Sequence, residues 1–374
     1  MVPAASIILT SKDYQNLTAN EYGGLFLPMI ILAILISGIG GNFARQHGIR
    51  SLLLPSILCN AISMSLLATT QGTLDHPLTT YALLLVGMAM LGAGFGGCLT
   101  ALNAAVVEMF PKKSATALTS LHALLGIGTV LGPMSLSVCH AIEQWWLAPF
   151  SVSVILTCLF FLAFLYPTIG VQDTITLHED SPNNHVPRLL WVFLAITFLY
   201  GFCETVVGNW APLYLSKVIK LPVPYPNYAL AAFWGMVTIG RLLISLITNW
   251  ISFRWFHALL PVFVSITFLT IPIITSPEGS VFIMGLAGLC CSGLLPLNIG
   301  FGELAFSNFR EIVSGRCICA YMTGYGAAAY GLGSMQSWNI LPLNKIFYFA
   351  TFPAIFLAIL SLATYKIFPP SEKF

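Results

Sequence analysis

Apolar stretches of about 20 residues recur along this chain between short polar loops, and each is long enough to cross about 30 Å of hydrocarbon as a helix. Eleven can be marked, at 24–43, 51–70, 79–108, 117–140, 147–167, 189–216, 228–249, 256–275, 280–304, 313–336 and 346–368. Only 7% of the residues are charged and 57% are hydrophobic, whereas a soluble domain carries about 25% charged residues. The bilayer is therefore the solvent, and the expected fold class is an all-α integral membrane protein.

The remaining polar features exclude several functions. All nine cysteines lie in or beside spans, and neither Cys290-Cys291 nor Cys317-Ile318-Cys319 has a second motif at metal-site spacing, so apolar packing is expected and no metal or cofactor. The net charge of +2 comes from basic residues scattered one or two per loop, a distribution that offers nucleic acid no patch. Eleven of the fifteen Lys and Arg, including Arg45, Arg50, Lys112, Lys113 and Arg188, fall on one side of the expected topology. Lys12, Lys217, Lys220 and Lys345 fall on the other. The positive-inside bias places the C-terminus in the cytoplasm, with a multi-pass plasma-membrane location, the inner membrane if the source is prokaryotic.

That topology puts the N-terminal tail outside, although Met1 to Gly23 has no basic region and no long apolar core to act as a secretion signal. "MVPAASIILT" reads as the outer end of a helix begun upstream, within a plan of twelve; a true eleven-span protein is the alternative.

The longest hydrophilic stretch divides the chain into an N-terminal bundle at 1–168, a cytoplasmic linker at 169–188 and a C-terminal six-helix bundle at 189–374. The bundles repeat one pattern. "LNAAVVEMF" holds Asn103 and Glu108, "LNIGFGELAF" holds Asn298 and Glu303, and both pairs recur at an offset of 195 residues. Each follows a Gly-rich approach and precedes a basic loop and a helix of small residues. Parallel repeats of six helices, with a solute site between them near the midplane, are the plan of major facilitator transporters. A channel would need a re-entrant filter or rings of like charge, and the sequence has neither.

Local motifs agree. "GNFARQHGIR" (41–50) resembles the cytoplasmic loop motif of that superfamily at Gly41, Gly48 and Arg50, but carries Arg45 where the family has an acid and Gln46 where it has a base. "LGAGFGGCLTALNAAVVE" (91–108), "LTSLHALLGIGTVLGP" (118–133), "YGFCETVVGNWAPLYL" (200–215) and "AAFWGMVTIGRLL" (231–243) are similar to the fucose-galactose-proton symporter branch and its sodium-glucose relatives. The resemblance implies a sugar-type carrier coupled to H+ or Na+. It also implies a departure, because Thr100 stands where the fucose-type carriers place an acid, and the first helix that holds their other acid is not present.

Of thirteen acidic residues only Glu204 lies well inside a span. An ionised carboxylate at the bilayer centre costs about 2.5–3.5 kcal/mol by insertion scales, so it must face protein or water and is a functional candidate by default. Gly201, Glu204 and Gly208 share one face if the segment is a regular helix, and Trp210 can offer a ring to a sugar or sit in an interfacial belt. Asn103 and Asn298 can hold a hydroxylated solute from both sides or tie helices together. His122 is a candidate coupling group, and Arg241, Glu108 and Glu303 are candidates for gating or ion pairing. Ser120 and His122 are two apart on a helix and point in different directions, so they form no nucleophile arrangement, and no enzyme is expected. With no nucleotide-binding motif, the expected function is secondary active transport, by a monomer, of a small solute that is a sugar or other hydroxylated compound. An efflux carrier for drugs, siderophores or other amphipathic compounds, and a transport-inactive sensor or scaffold, are the alternatives.

Overall fold

A computed structural model of the chain describes residues 1–12, 14–109, 114–166, 188–248, 250–306 and 310–367. Helices carry almost all of them. The first group comprises α1 (Val2–Leu9), α2 (Ala19–Gly24), α3 (Phe26–His47), α4 (Ile49–Thr69), α5 (Pro77–Met109), α6 (Ser114–Ala141) and α7 (Leu147–Leu165). The second comprises α8 (Leu190–Thr205), α9 (Ala211–Lys217), α10 (Tyr225–Ile247), α11 (Phe253–Thr270), α12 (Pro277–Cys291), α13 (Leu294–Ala305), α14 (Arg310–Gly326), α15 (Leu332–Ser337) and α16 (Ile346–Ile367). Two π turns, Val206–Trp210 and Ala327–Gly331, join α8 to α9 and α14 to α15 without a break.

Among the described residues ten helical runs are long and apolar enough to cross a membrane. They match ten of the eleven expected spans. The other, expected at 313–336, is helical from Arg310 to Ser337, but its glycines, tyrosines and hydroxyl residues keep it less apolar than the rest. Of the linker expected at 169–188, only Arg188 is among the described residues.

Local chemistry fixes where helices start. The Thr18 hydroxyl accepts from the Glu21 amide at 3.2 Å while a Glu21 carboxylate oxygen accepts from the Thr18 amide at 2.8 Å, a reciprocal cap that begins α2. Leu25, itself in the α conformation, carries that helix into α3.

The repeat seen in the sequence is also a repeat of contacts. A Cβ on Gly92 of α5 would lie 2.0 Å from the Met29 carbonyl oxygen of α3, and one on Gly288 of α12 would lie 2.1 Å from that of Phe233 on α10. Only glycine lets these backbones approach so closely, as is common between helices in lipid. At the start of α4, Arg50 donates to the Ala163 and Phe164 carbonyls at the end of α7, at 3.2 and 2.6 Å. At the start of α11, Arg254 donates at 3.4 Å to the Tyr365 carbonyl near the end of α16. In each case a cation sits on the negative end of a helix dipole. Arg50 of the altered loop motif thus clips α4 to α7, whereas the Arg45 side chain lies outside what is described.

The two groups of helices meet along a seam that is unequal from end to end. One large apolar cluster, with Leu9, Tyr22, Phe26 and Ile30 from the first group and Trp210 and Ala329 from the second, crosses between them. Hydrogen bonds cross there too, from Lys217 Nζ to the Thr10 carbonyl at 3.1 Å, from Ser334 to Asn20 Oδ1 at 2.8 Å and from the Asn20 amide to Ser337 at 3.0 Å. Toward the opposite end each group keeps its own cluster: Ala44, Ile49, Leu52, Leu53, Ala101 and Ala105 in the first, Leu190, Phe193, Phe301, Val313 and Cys317 in the second. The groups are sealed together at the Lys217 end, and among the described residues no apolar cluster joins them at the other.

Candidate functional site

Glu204 lies in the last turn of α8 and is 2% exposed. Its Oε1 accepts from the hydroxyl of Tyr200, one turn earlier, at 2.5 Å, and its Oε2 accepts from Tyr321 of α14, also at 2.5 Å. The two phenol rings stack with centroids 5.9 Å apart. Arg241 of α10 places Nη2 3.9 Å from Oε1 and donates through Nε to the Ser292 carbonyl at 3.2 Å. A carboxylate that costs energy in lipid is thus given two donors and a countercharge, and three helices are knitted around it. Close approach makes this feasible, since a Cβ on Gly324 of α14 would sit 2.0 Å from the Phe198 carbonyl oxygen of α8.

Directly beyond Glu204 the helix widens into its π turn, a feature often found at functional sites. Within it Trp210 Nε1 donates to the Ala328 carbonyl in the facing π turn at 3.0 Å. The Asn209 amide and the Tyr325 hydroxyl face one another at 3.2–3.3 Å. Tyr22 of α2 donates to the Asn209 carbonyl at 3.1 Å and packs edge-on against Trp210. The carboxylate of the second group is therefore one π turn away from the seam with the first.

Several sequence-based expectations change. Gly201 and Gly208 do not present one face: a Cβ on Gly201 would meet Tyr321 of α14, whereas one on Gly208 would meet Trp234 of α10. The π turn between Glu204 and Gly208 rotates the register, which regular helical spacing does not anticipate. Trp210 is fully buried, so in this conformation neither ring face is open to a solute. Asn103 and Asn298 do not converge as a pair. Asn298 is 1% exposed and bonded within the second group, donating to the Phe193 carbonyl at 2.9 Å and to Thr197 at 2.8 Å, with His257 Nε2 3.0 Å from its Oδ1. Asn103, at the equivalent sequence position, has a buried Oδ1 without a hydrogen-bond partner.

Thr100 bonds the Gly96 carbonyl of its own helix at 2.8 Å and lies beside Gly40 of α3, within the first group. His122 is half-buried on α6 and feels the charge of Arg241 across the seam. The side chains of Glu108 and Glu303 lie outside what the structure describes. Tyr200, Tyr321, Tyr325 and Asn209 were missed. The spacing of Tyr200 to Glu204, and of Tyr321 to Tyr325, is the i, i+4 of one helix face.

The contrast between the asparagines gives a measurable difference. Asn298→Ala is expected to lower stability by about 1–2 kcal/mol, because it strips two helices of a buried partner. Asn103→Ala should stay within about 0.5 kcal/mol. Thermal unfolding of the purified chain in detergent measures both.

A polytopic helical protein whose two groups of helices repeat one another, sealed together at one end and holding a buried acid beside a partly exposed arginine, has the architecture of a membrane carrier. The Major Facilitator Superfamily model matches residues 2–334, and the chain belongs to that family of transporters. The glucose/mannose transporter GlcP of Bacillus subtilis (strain 168) is 21% identical over 276 residues, covering 69% of this chain and 67% of GlcP. Bypass of stop codon protein 6 of Saccharomyces cerevisiae (strain ATCC 204508 / S288c) is 22% identical over 272 residues, 65% of this chain, and the match spans about half of that protein (53%). A crystal structure of a point mutant of the nucleoside transporter NupG superposes with a TM-score of 0.74 over 97% of this chain and 94% of that one, at 13% identity, which is a likeness of fold. The chain is a multi-pass membrane transporter and not an enzyme.

Proposed function

We propose that the chain is a secondary active transporter that moves a small hydroxylated solute, a sugar or a near relative of one, by alternating access. Coupling to a proton or sodium gradient runs through Glu204. The observation that carries this reading is the buried carboxylate itself, held by Tyr200, Tyr321 and Arg241 one π turn from the seam. An acid so placed can exchange its proton or ion only when the path to it opens, which is the condition for coupling. The sugar class is supported by the likeness to GlcP and by the motifs at 200–215 and 231–243. In this reading the chain works as a monomer in the plasma membrane, with bundles at 1–168 and 189–374 joined by a cytoplasmic linker and with the C-terminus in the cytoplasm.

Counterflow in proteoliposomes, over a panel of sugars and with proton and sodium gradients imposed separately, tests the function. Exchange of no solute would sink the transporter reading. Alternating access is tested at the seam: with cysteines replacing Asn20 and Ser334, a short thiol cross-linker is expected to abolish counterflow and a cleavable linkage to restore it on reduction. Undiminished exchange in the cross-linked protein would show that the Lys217 end does not open.

A further inference from the structure

The charge that a solute meets is not that of Glu204. Its side chain is 3% exposed behind the two phenols, whereas that of Arg241 is 33% exposed. That exposure is internal to the helices. Arg241 is bracketed by Glu204 and Tyr200 on α8, by the Ser292 carbonyl just past α12 and by His122 on α6. The antiparallel register of α6 and α10 shows in Gly126 resting on Thr238, one turn from that pairing.

A guanidinium has five N–H donors in a planar fork. Here Nε serves Ser292, and the nearest carboxylate oxygen stands at 3.9 Å, well beyond the roughly 2.7–2.9 Å of a charge-assisted hydrogen bond. Each Glu204 oxygen is already taken by a tyrosine. Arg241 is thus the countercharge of Glu204 without being its close partner, and it has donors to spare. The other ionisable groups described around the pair are Tyr200, Tyr321, Tyr325, Cys203, Cys291 and His122. None brings a second negative charge at ordinary protonation.

We infer that the transported solute bears a carboxylate, which binds the exposed edge of Arg241, and that its binding is matched by uptake of one proton on Glu204. This rests on the transporter reading and narrows its solute from a hydroxylated compound to a hydroxylated acid, in the manner of a sugar acid. The charge count requires the proton. Empty, the Arg241–Glu204 pair is neutral. A bound monoanion makes the site negative, and net charge is what the bilayer interior disfavours.

Transfer of H+ from hydronium to a Glu204 oxygen once the path to it opens, releasing water, restores neutrality. One tyrosine bond must then turn, because a carboxyl group donates where the carboxylate accepted. On release of the solute, Glu204 returns the proton to water and Arg241 recovers its countercharge. A phosphate ester near −2 would leave one charge uncompensated even with Glu204 protonated, so a carboxylate fits better.

The test uses the purified full chain in nanodiscs and matched probes: D-glucose with D-glucuronate and D-gluconate, D-galactose with D-galacturonate, and D-glucose 6-phosphate. Ligand-dependent thermal stabilisation reads binding. At least one carboxylate is expected to act at a concentration at least about tenfold below its neutral partner. That preference should fall below about threefold in Arg241→Gln and survive in part in Arg241→Lys. A neutral sugar that binds as well as its acid, preference for the phosphate ester, or no binding of any carboxylate would overturn the inference. If Arg241→Gln fails to fold, the wild-type comparison still decides. Glu204→Gln separates the two readings: full gradient-driven accumulation in that variant ends the coupling assignment, whereas loss of accumulation without any preference for acids ends only the carboxylate inference.

Discussion

Glu204→Gln is expected to abolish gradient-driven accumulation while leaving solute exchange in place. Each pH unit of gradient is worth about 1.4 kcal/mol, or about tenfold accumulation per proton carried. The wild-type chain should approach that ratio in proteoliposomes and the variant should stay near one. The amide matches the carboxylate in shape but cannot carry the proton, and with one acceptor and one donor face it can satisfy only one of the two phenols as they stand. Arg241 also loses its countercharge, which weakens the fold. For that reason accumulation is compared with counterflow in the same preparation, which isolates coupling from the amount of folded protein. Wild-type accumulation by the variant would exclude Glu204 as the coupling group.

Gly324→Val should have the largest effect on stability. Its first added carbon would fall 2.0 Å from the Phe198 carbonyl oxygen, and two backbones cannot yield as a flexible side chain does. Overpacking of this kind costs about 1–3 kcal/mol or more, and separating α8 from α14 also pulls Tyr321 away from Glu204. A several-degree fall in the unfolding temperature, together with loss of coupling, is expected. Gly300→Ala is the internal comparison: nothing lies within 4 Å of its added carbon, so the change should be neutral or stabilising by up to about 1 kcal/mol. Equal behaviour of the two variants would refute the close approach of α8 and α14.

What could be read from residues alone follows from what lipid demands. Hydrocarbon thickness sets span length, so the helices were visible as apolar runs, and the cost of a charge in lipid made Glu204 conspicuous. Arg241 was a candidate partner for it and Tyr200 stands one turn away, but its third partner was not visible. Tyr321 is 117 residues from Glu204, and only the packing of α8 on α14 brings them together. The π turn at Val206–Trp210 was likewise not visible, and within it Trp210 is turned inward against the facing turn. Asn103 and Asn298 show the reverse failure. Their sequence contexts repeat, yet one is saturated inside its group and the other is left with an unpartnered oxygen, because a duplicated pattern conserves position and not surroundings.

Arg50 and Arg254 each fasten one helix start to one helix end at the face where the two groups share no apolar cluster, and neither reaches across to the other group. That makes the two groups resemble stiff plates, each riveted separately at its outer margin. Rocking one plate against the other would break the bonds of Lys217, Asn20 and Tyr22 and part the apolar cluster around Trp210 while leaving both rivets whole, so the mechanical resistance to reversal is gathered at the Lys217 end.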